Sequence, residues 1–331
     1  MKTIRWGIIG CGDVTEVKSG PAFSKVEGSQ LVAVMRRDVS KASDYARRHS
    51  VPVWYSQASA LINDPHVDAV YVATPPDTHA QYAIEAMRAG KPVYVEKPMA
   101  ISPEECEQMI RVSEETGVPL FVAYYRRTLP GFLKVKELID EGTIGTPLVV
   151  NIQMMRPPLS VEMDSENASW RVNANVAGGG IFYDLASHQL DFLDFLFGPI
   201  RTCSGNASNL GGLYRVEDTV SATFAFDNGV IGCGTWCFVT GEASRRDVME
   251  IIGSRGRIVF SGFDHRPIKL FTDSGCIEFP YLNPENIQYN MIKQVVDAIR
   301  HHKETVSMGT SAARTNVVMQ QIVSGYYRSL Q

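Results

Sequence analysis

Short apolar runs alternate with helical patterns through the first third of the chain, a rhythm that predicts βαβ units around a parallel sheet. The runs at 4–9, 31–35, 69–73, 92–96 and 120–123 are nearly continuous in apolar residues, as strands covered on both faces require. Between them, a helical pattern over 80–89 follows Asp77-Thr78 and stops at Gly90. Another opens at Ser102-Pro103-Glu104-Glu105 and stops at Gly117-Val118-Pro119. Both have capping residues at the start and a glycine able to take positive φ at the end. The helix expected after the first strand meets Ser19-Gly20-Pro21, so it is predicted to be split or displaced there.

Beyond residue 124 the texture changes. A helix over 130–141 precedes a strand over 148–155, and a polar loop leads to Gly178-Gly179-Gly180 and a helix running to 197. Near-alternating strands follow at 219–226, 230–238, 248–253, 256–261 and 269–272, some joined by hairpin turns such as Asp227-Asn228-Gly229. Helices over 287–301 and 311–329 close the chain. The expected fold class is α/β: a doubly wound parallel sheet over 1–123, then an α+β domain over 124–331 with an open, largely antiparallel sheet.

Composition narrows the function. The 331 residues are 44% hydrophobic and 21% charged, with a formal net charge of −4. That balance describes a globular protein and gives no reason to expect nucleic acid or an anionic membrane as partner. No apolar stretch of roughly 18 residues suggests a membrane span, and the N-terminal run is too short and glycine-rich for a signal peptide. Six scattered cysteines without a CxxC pair read as reduced thiols in a cytoplasmic protein, and no local Cys/His spacing suggests a metal.

The chemistry begins at Gly10-Cys11-Gly12-Asp13-Val14, between the first strand and the next helix. There Gly10 permits a tight turn and Gly12 lets the backbone approach a pyrophosphate, as in the Rossmann dinucleotide fingerprint. The third glycine position is Thr15, and a tight turn in any α/β protein is the plainer reading. At the end of the second strand, where an NAD enzyme places an acidic residue, stand Arg36 and Arg37. Two guanidiniums suit a 2′-phosphate and favour NADP over NAD; with Asp38 they also read as an ordinary solvated loop. Thr74-Pro75-Pro76 forms a stiff ledge at the third strand's carboxyl end, and His79 either caps the next helix or reaches the cofactor.

Glu96-Lys97-Pro98 together with Gly10-Cys11-Gly12, and downstream Trp170-Arg171, Gly178-Gly179-Gly180, Asp184 and His188, resembles the glucose–fructose oxidoreductase/inositol dehydrogenase (Gfo/Idh/MocA) family. The resemblance spans roughly the whole chain. It implies a Rossmann domain, an open-sheet α/β domain and assembly as homodimers or homotetramers. It also implies a catalytic group of Lys97, Asp184 and His188, with Glu96 and Lys97 beside the cofactor. The residues themselves agree. Lys97 at a strand's carboxyl end can stabilise charge on a substrate oxygen. Asp184 and His188 share a helix face, so the carboxylate can orient the imidazole, and Asp191 lies on the same face. The plainer alternatives are a surface ion pair of Lys97 with Glu96, a capping aspartate and a buried histidine. Ala186 stands where the family usually has glycine.

Tyr125, Arg126 and Trp170 are candidate contacts for a sugar, with Asp191 a further one, although Tyr and Arg at a domain seam are often only interface residues. Arg171 is a candidate cofactor contact. These residues point to hydride transfer between NAD(P) and a secondary alcohol or carbonyl of a sugar, polyol or cyclic relative. A glycosidase working through transient oxidation and a non-catalytic NADP-binding regulator are the rival readings.

Overall fold

The structure, a computed structural model, describes residues 3–164 and 169–330. The chain forms two compact units: one reaches to Thr128 and takes in Pro284–Ala313, and the other holds Leu129–Asn283 and the chain from Arg314 onward. The nucleotide-type unit is therefore discontinuous in sequence. A single cut after residue 123 misses the return of 284–313.

In the first unit the order is β1 (Ile4–Ile9), α1 (Asp13–Val17), α2 (Gly20–Lys25), β2 (Ser29–Met35), α3 (Val39–Arg48), β3 (Val53–Tyr55), α4 (Ala58–Ile62), β4 (Ala69–Val72), α5 (His79–Arg88), β5 (Val93–Val95), α6 (Pro103–Thr116) and β6 (Leu120–Val122). The sheet runs β3-β2-β1-β4-β5-β6 with every pair parallel. Val70, Val72, Val93 and Val95 are fully buried, and Leu61, Ala83 and Met87 pack with them. That explains why these strands show no polar alternation. Strand order reverses between β1 and β4, so the crevice for a ligand lies at their carboxyl ends.

The expected break in the first helix is present, and the returning chain explains it. Pro21 has no N–H to give to the Val17 carbonyl, which instead accepts from Asn286 Nδ2 at 2.6 Å. The Lys18 carbonyl accepts from the Gln288 backbone at 3.1 Å, and Thr15's accepts from the Tyr45 hydroxyl at 2.8 Å. At Gly20 a Cβ would collide with that same Thr15 carbonyl and Tyr45 hydroxyl. The close backbone packing expected of a third fingerprint glycine is thus found five residues later.

The second unit contains α7 (Pro130–Asp140), β7 (Pro147–Met155), α8 (Ser160–Met163), α9 (Ala174–Ala177), α10 (Ile181–Phe197), β8 (Ile200–Ser208), β9 (Thr219–Phe226), β10 (Ile231–Cys237), β11 (Arg246–Gly253), β12 (Gly256–Phe260), β13 (Ile268–Thr272) and β14 (Gly275–Phe279). Of the last two helices, α11 (Tyr289–His301) belongs to the first unit, and α12 (Gly309–Ser329) begins at its end. The eight-stranded sheet runs β14-β13-β12-β11-β7-β10-β9-β8 and is antiparallel except where β7 meets β10. Val220, Ala222, Phe224 and Phe226 line its buried face with Trp236, while Ser221 and Thr223 are exposed on the other. Helix α10 is enclosed along nearly its whole length, consistent with apolar residues on all sides.

The sequence pattern misses β3, β8 and β14 for physical reasons. Val53 and Trp54 are exposed on a three-residue edge strand, and β14 is exposed nearly throughout. Strand β8 alternates correctly but does so with Thr, Ser, Asn and Gly, which carry little hydrophobic contrast.

Candidate active site

At the carboxyl end of β1, Gly10 has φ 91°, and a Cβ there would lie 2.7 Å from the Thr74 backbone nitrogen. The turn is pressed onto the end of β4, a fit only glycine permits. Gly12 is different: it is extended, and a Cβ would meet nothing closer than 3.9 Å, leaving the turn open beside its backbone. No side chain caps α1 at Gly12, Asp13 is exposed and Val14 half-buried. This open cradle of backbone N–H groups fits a dinucleotide pyrophosphate. Helix α1 is only five residues long, so the local N–H groups matter more here than a helix dipole. Burial pushes the neighbouring Cys11 thiol up to about 11, so it stays protonated.

The two arginines after β2 behave differently. Arg36 is half-buried and donates to the Cys11 carbonyl at 3.1 Å, bracing the glycine turn. Arg37 is exposed. Asp38 caps α3, accepting from the Lys41 backbone at 3.1 Å and the Ser40 hydroxyl at 2.6 Å.

The Thr74-Pro75 ledge is stiffened by the Thr78 hydroxyl, which donates to Thr74 Oγ1 at 2.8 Å. His79 is fully buried, with its ring nitrogens 2.8 Å from the Thr74 carbonyl and 3.0 Å from the Pro98 carbonyl. Burial lowers its pKa, against the opposing pull of these carbonyls and Glu96. The ring works as a staple between the ledge and the loop that carries Lys97.

That loop leaves β5 as Glu96-Lys97-Pro98, with a cis bond between Lys97 and Pro98. Lys97 is half-buried. Glu96 turns inward at 7% exposure: its Oε1 accepts from the Tyr71 hydroxyl at 2.5 Å and from Gln288 Nε2 at 2.6 Å, while Oε2 faces the Lys97 backbone N–H at 3.3 Å. The Glu96 carboxylate is thus tied to β4 and to the returning chain beneath the loop that carries Lys97. Tyr125 and Arg126 lie in the same unit; both are buried, and the guanidinium sits 5.3 Å over the Tyr125 ring. Arg127 donates to the Val306 carbonyl at 2.6 Å and serves the return segment.

In the second unit the glycine run seats α10. Gly178 takes φ 83° to end α9, and a Cβ at Gly180 would lie 2.5 Å from the Glu217 carbonyl oxygen. Glu217 is fully buried, and its Oε1 accepts from the Gly180 N–H at 2.8 Å at the start of α10. The Tyr327 hydroxyl donates to its other oxygen. Burial lifts this carboxyl to about 7 against those two hydrogen bonds.

One turn into α10, Asp184 receives Arg171 Nε at 2.7 Å. The Arg171 guanidinium lies 4.4 Å over the Trp170 ring, so one face of that ring is covered by its neighbour. His188 is 3% exposed, its ring 6.1 Å from Phe263 in an edge arrangement, and Asp191 below it is completely enclosed. The loop bearing Phe263 is held by Asp247, whose carboxylate accepts backbone N–H groups from Gly262, Phe263 and Asp264 at 2.6–2.9 Å. Trp236 is core, donating to Gln189 at 2.7 Å. The polar loop that leads to Gly178 includes Ser165 to Ala168, which lie outside the described residues.

The structure thus gathers Gly10, Gly12, Asp13, Val14, Arg36, Arg37, Thr74, Pro75, His79, Glu96, Lys97, Tyr125 and Arg126 in the first unit. It places Trp170, Arg171, Asp184, His188 and Asp191 in the second. Sequence reasoning missed Gln288, Glu217, Asp247 and Phe263, whose roles depend on long-range partners and carry no local motif. Among the described residues no group of three or more His, Cys, Asp or Glu could hold a metal, and no helix is long and apolar enough to cross a membrane.

Comparison with known proteins agrees with this geometry. Residues 4–124 match the family model described as "Oxidoreductase family, NAD-binding Rossmann fold", and 132–259 match the GFO/IDH/MocA C-terminal domain. A relative named Oxidoreductase P35, from Formosa agariphila, is 40% identical, covering 95% of this chain and 97% of its own. A 1,5-anhydro-D-fructose reductase from Ensifer adhaerens is 27% identical over 92% of this chain and 91% of its own. A levoglucosan dehydrogenase solved with NADH and levoglucosan has a TM-score of 0.87 at 23% identity, covering 98% of this chain and 97% of that one. An open glycine turn at the switch point and a lysine at the end of a neighbouring strand, joined to these matches over nearly the full length, show that the chain belongs to the Gfo/Idh/MocA family of oxidoreductases with an NAD-binding Rossmann fold.

Proposed function

We propose that this chain interconverts a secondary alcohol and its carbonyl on a sugar, polyol or related cyclic compound, with NADP preferred over NAD. The observation that carries the reading is the open turn at Gly12, with Lys97 at a strand end on the same carboxyl edge of the same sheet. The names of the anhydrofructose reductase and levoglucosan dehydrogenase support the substrate class.

When bound, the nicotinamide supplies a hydride acceptor or donor at its C4. Lys97 hydrogen-bonds the reacting oxygen and stabilises the negative charge that develops there. His188 takes the hydroxyl proton in oxidation and returns it in reduction. Asp184, paired with Arg171, orients this chemistry, while Tyr125, Arg126, Trp170 and Asp191 supply further contacts. Gly10, Gly12, Asp13 and Val14 hold the pyrophosphate, Thr74, Pro75 and His79 form the ledge, and Arg37 meets a 2′-phosphate. The uncovered face of the second sheet supports assembly as a homodimer or homotetramer. Six unpaired cysteines support a reducing, cytoplasmic setting.

Screening aldoses, polyols and cyclic diols with NADP⁺ and NAD⁺ tests the reading. Reduction of NADP⁺ by one substrate class supports it, and Lys97→Met should then abolish turnover while still binding NADPH. Turnover unchanged in that variant would remove the assigned role. Glycoside cleavage without net cofactor reduction would replace the reaction itself.

A further inference from the structure

Gln288 is fully buried, and it reaches three elements of the first unit at once. Its backbone N–H donates to the Lys18 carbonyl at the broken first helix, at 3.1 Å. Its side-chain oxygen accepts from the Tyr94 hydroxyl on β5 at 2.8 Å, and its side-chain nitrogen donates to Glu96 Oε1 at 2.6 Å. The same Glu96 oxygen accepts from Tyr71, and the other faces the Lys97 backbone N–H.

A carboxylate one residue from an ammonium is a natural partner for it. Here the Glu96 oxygens are turned inward toward a phenol, an amide and a backbone N–H, while His79 holds the Pro98 carbonyl on the far side of the loop. We infer that Gln288 is a positioning residue for Lys97: by holding the Glu96 carboxylate against Tyr71, it fixes the Glu96-Lys97-Pro98 backbone and keeps that carboxylate from competing for the ammonium. The inference rests on the role proposed for Lys97.

The contact with Lys18 uses the Gln288 backbone, so a side-chain substitution spares the phosphate turn and perturbs the lysine loop. Gln288→Leu leaves the Tyr94 hydroxyl without its acceptor and removes one donor from Glu96, which can then turn toward Lys97. The swap Glu96→Gln with Gln288→Glu reverses donor and acceptor and restores the bond between the two positions, while the Tyr71 hydroxyl keeps its contact with Ser19 Oγ at 3.1 Å.

The test compares wild type, Gln288→Leu, Gln288→Glu and the swap. In Gln288→Leu, kcat should fall about tenfold to a hundredfold, the range expected of a misplaced catalytic group, while the NADPH dissociation constant stays near wild type. Acylation of Lys97 by acetic anhydride, followed by mass spectrometry, should slow about threefold as the freed carboxylate pairs with the amine. The swap should recover much of kcat. Gln288→Glu keeps the side chain's volume, so the comparison survives if the leucine variant misfolds. Unchanged kcat and unchanged acylation would overturn the inference, as would a loss of kcat matched by an equal loss of NADPH affinity. The acylation readout needs no substrate: a slowed Lys97 in a protein that oxidises no alcohol would sustain the positioning role and remove the proposed reaction.

Discussion

Arg171 and Asp184 form the ion pair at the head of α10, Nε to Oδ2 at 2.7 Å, with the aspartate the more enclosed partner at 14% exposure against 42%. The guanidinium is also laid on Trp170, so its direction is set before any ligand arrives. Arg171→Leu should therefore reduce kcat/KM for the alcohol substrate by about tenfold, from loss of the guanidinium that orients the carboxylate. NADPH affinity, measured by fluorescence titration, should stay within about twofold of wild type, because the guanidinium is engaged with Asp184 and Trp170. A large loss of NADPH affinity would return Arg171 to the cofactor.

The neighbours Arg36 and Arg37 should separate in their effects. Arg36 braces the Cys11 carbonyl at the glycine turn, whereas Arg37 is exposed. Arg37→Ser should raise KM for NADP⁺ roughly tenfold and leave KM for NAD⁺ alone, as loss of one charge-assisted phosphate contact predicts. Arg36→Ala should weaken both cofactors together. Steady-state kinetics with each nucleotide distinguishes the two.

Glu217 gives a stability prediction independent of catalysis. Its folded pKa of about 7 lies above the ordinary 4.5, so folding favours the protonated form. The associated stability is complete below about 4.5 and is lost as pH rises through about 7. Glu217→Gln should remove this dependence. The stability of wild type relative to the variant should drop by about 3 kcal/mol between pH 4 and 8 in urea titrations, an order-of-magnitude figure. Parallel curves would show that the carboxyl titrates elsewhere.

Gly180 tests the seat of α10. A Cβ would press on the Glu217 backbone oxygen at 2.5 Å and on its carboxyl carbon at 3.0 Å; the first is backbone, and the second is held by the Gly180 N–H and the Tyr327 hydroxyl. Gly180→Ala should cost about 1–3 kcal/mol, lowering Tm. Gly90→Ala controls for glycine loss: it pays only the positive-φ strain, because nothing lies within 4 Å of its Cβ position.

Legibility in the sequence followed the range of the interactions. Five of the six strands of the parallel sheet, all but the exposed edge strand β3, were plain because their faces are buried, and the shared helix of Asp184 and His188 was plain because a helix repeats within four residues. The break at Gly20-Pro21 could be seen, but not its cause, since Tyr45, Asn286 and Gln288 come from elsewhere. The inward hold on Glu96 could not be read either, because Gln288 lies 192 residues away. Likewise Glu217 reaches Gly180 across 37 residues and announces itself by no spacing. Polar strands such as β8 were hidden because half of their alternation carries no contrast.

The return of Pro284–Ala313 to the first unit has a consequence for biosynthesis. Gln288 is translated 192 residues after Glu96, a delay of roughly 10–40 s at common elongation rates. Until it emerges, the nascent nucleotide half holds a carboxylate lacking one of its donors and a first helix with unmet carbonyls. Ribosome-bound chains that have not exposed 284–313 should therefore resist protease poorly, and the released full chain should become protected.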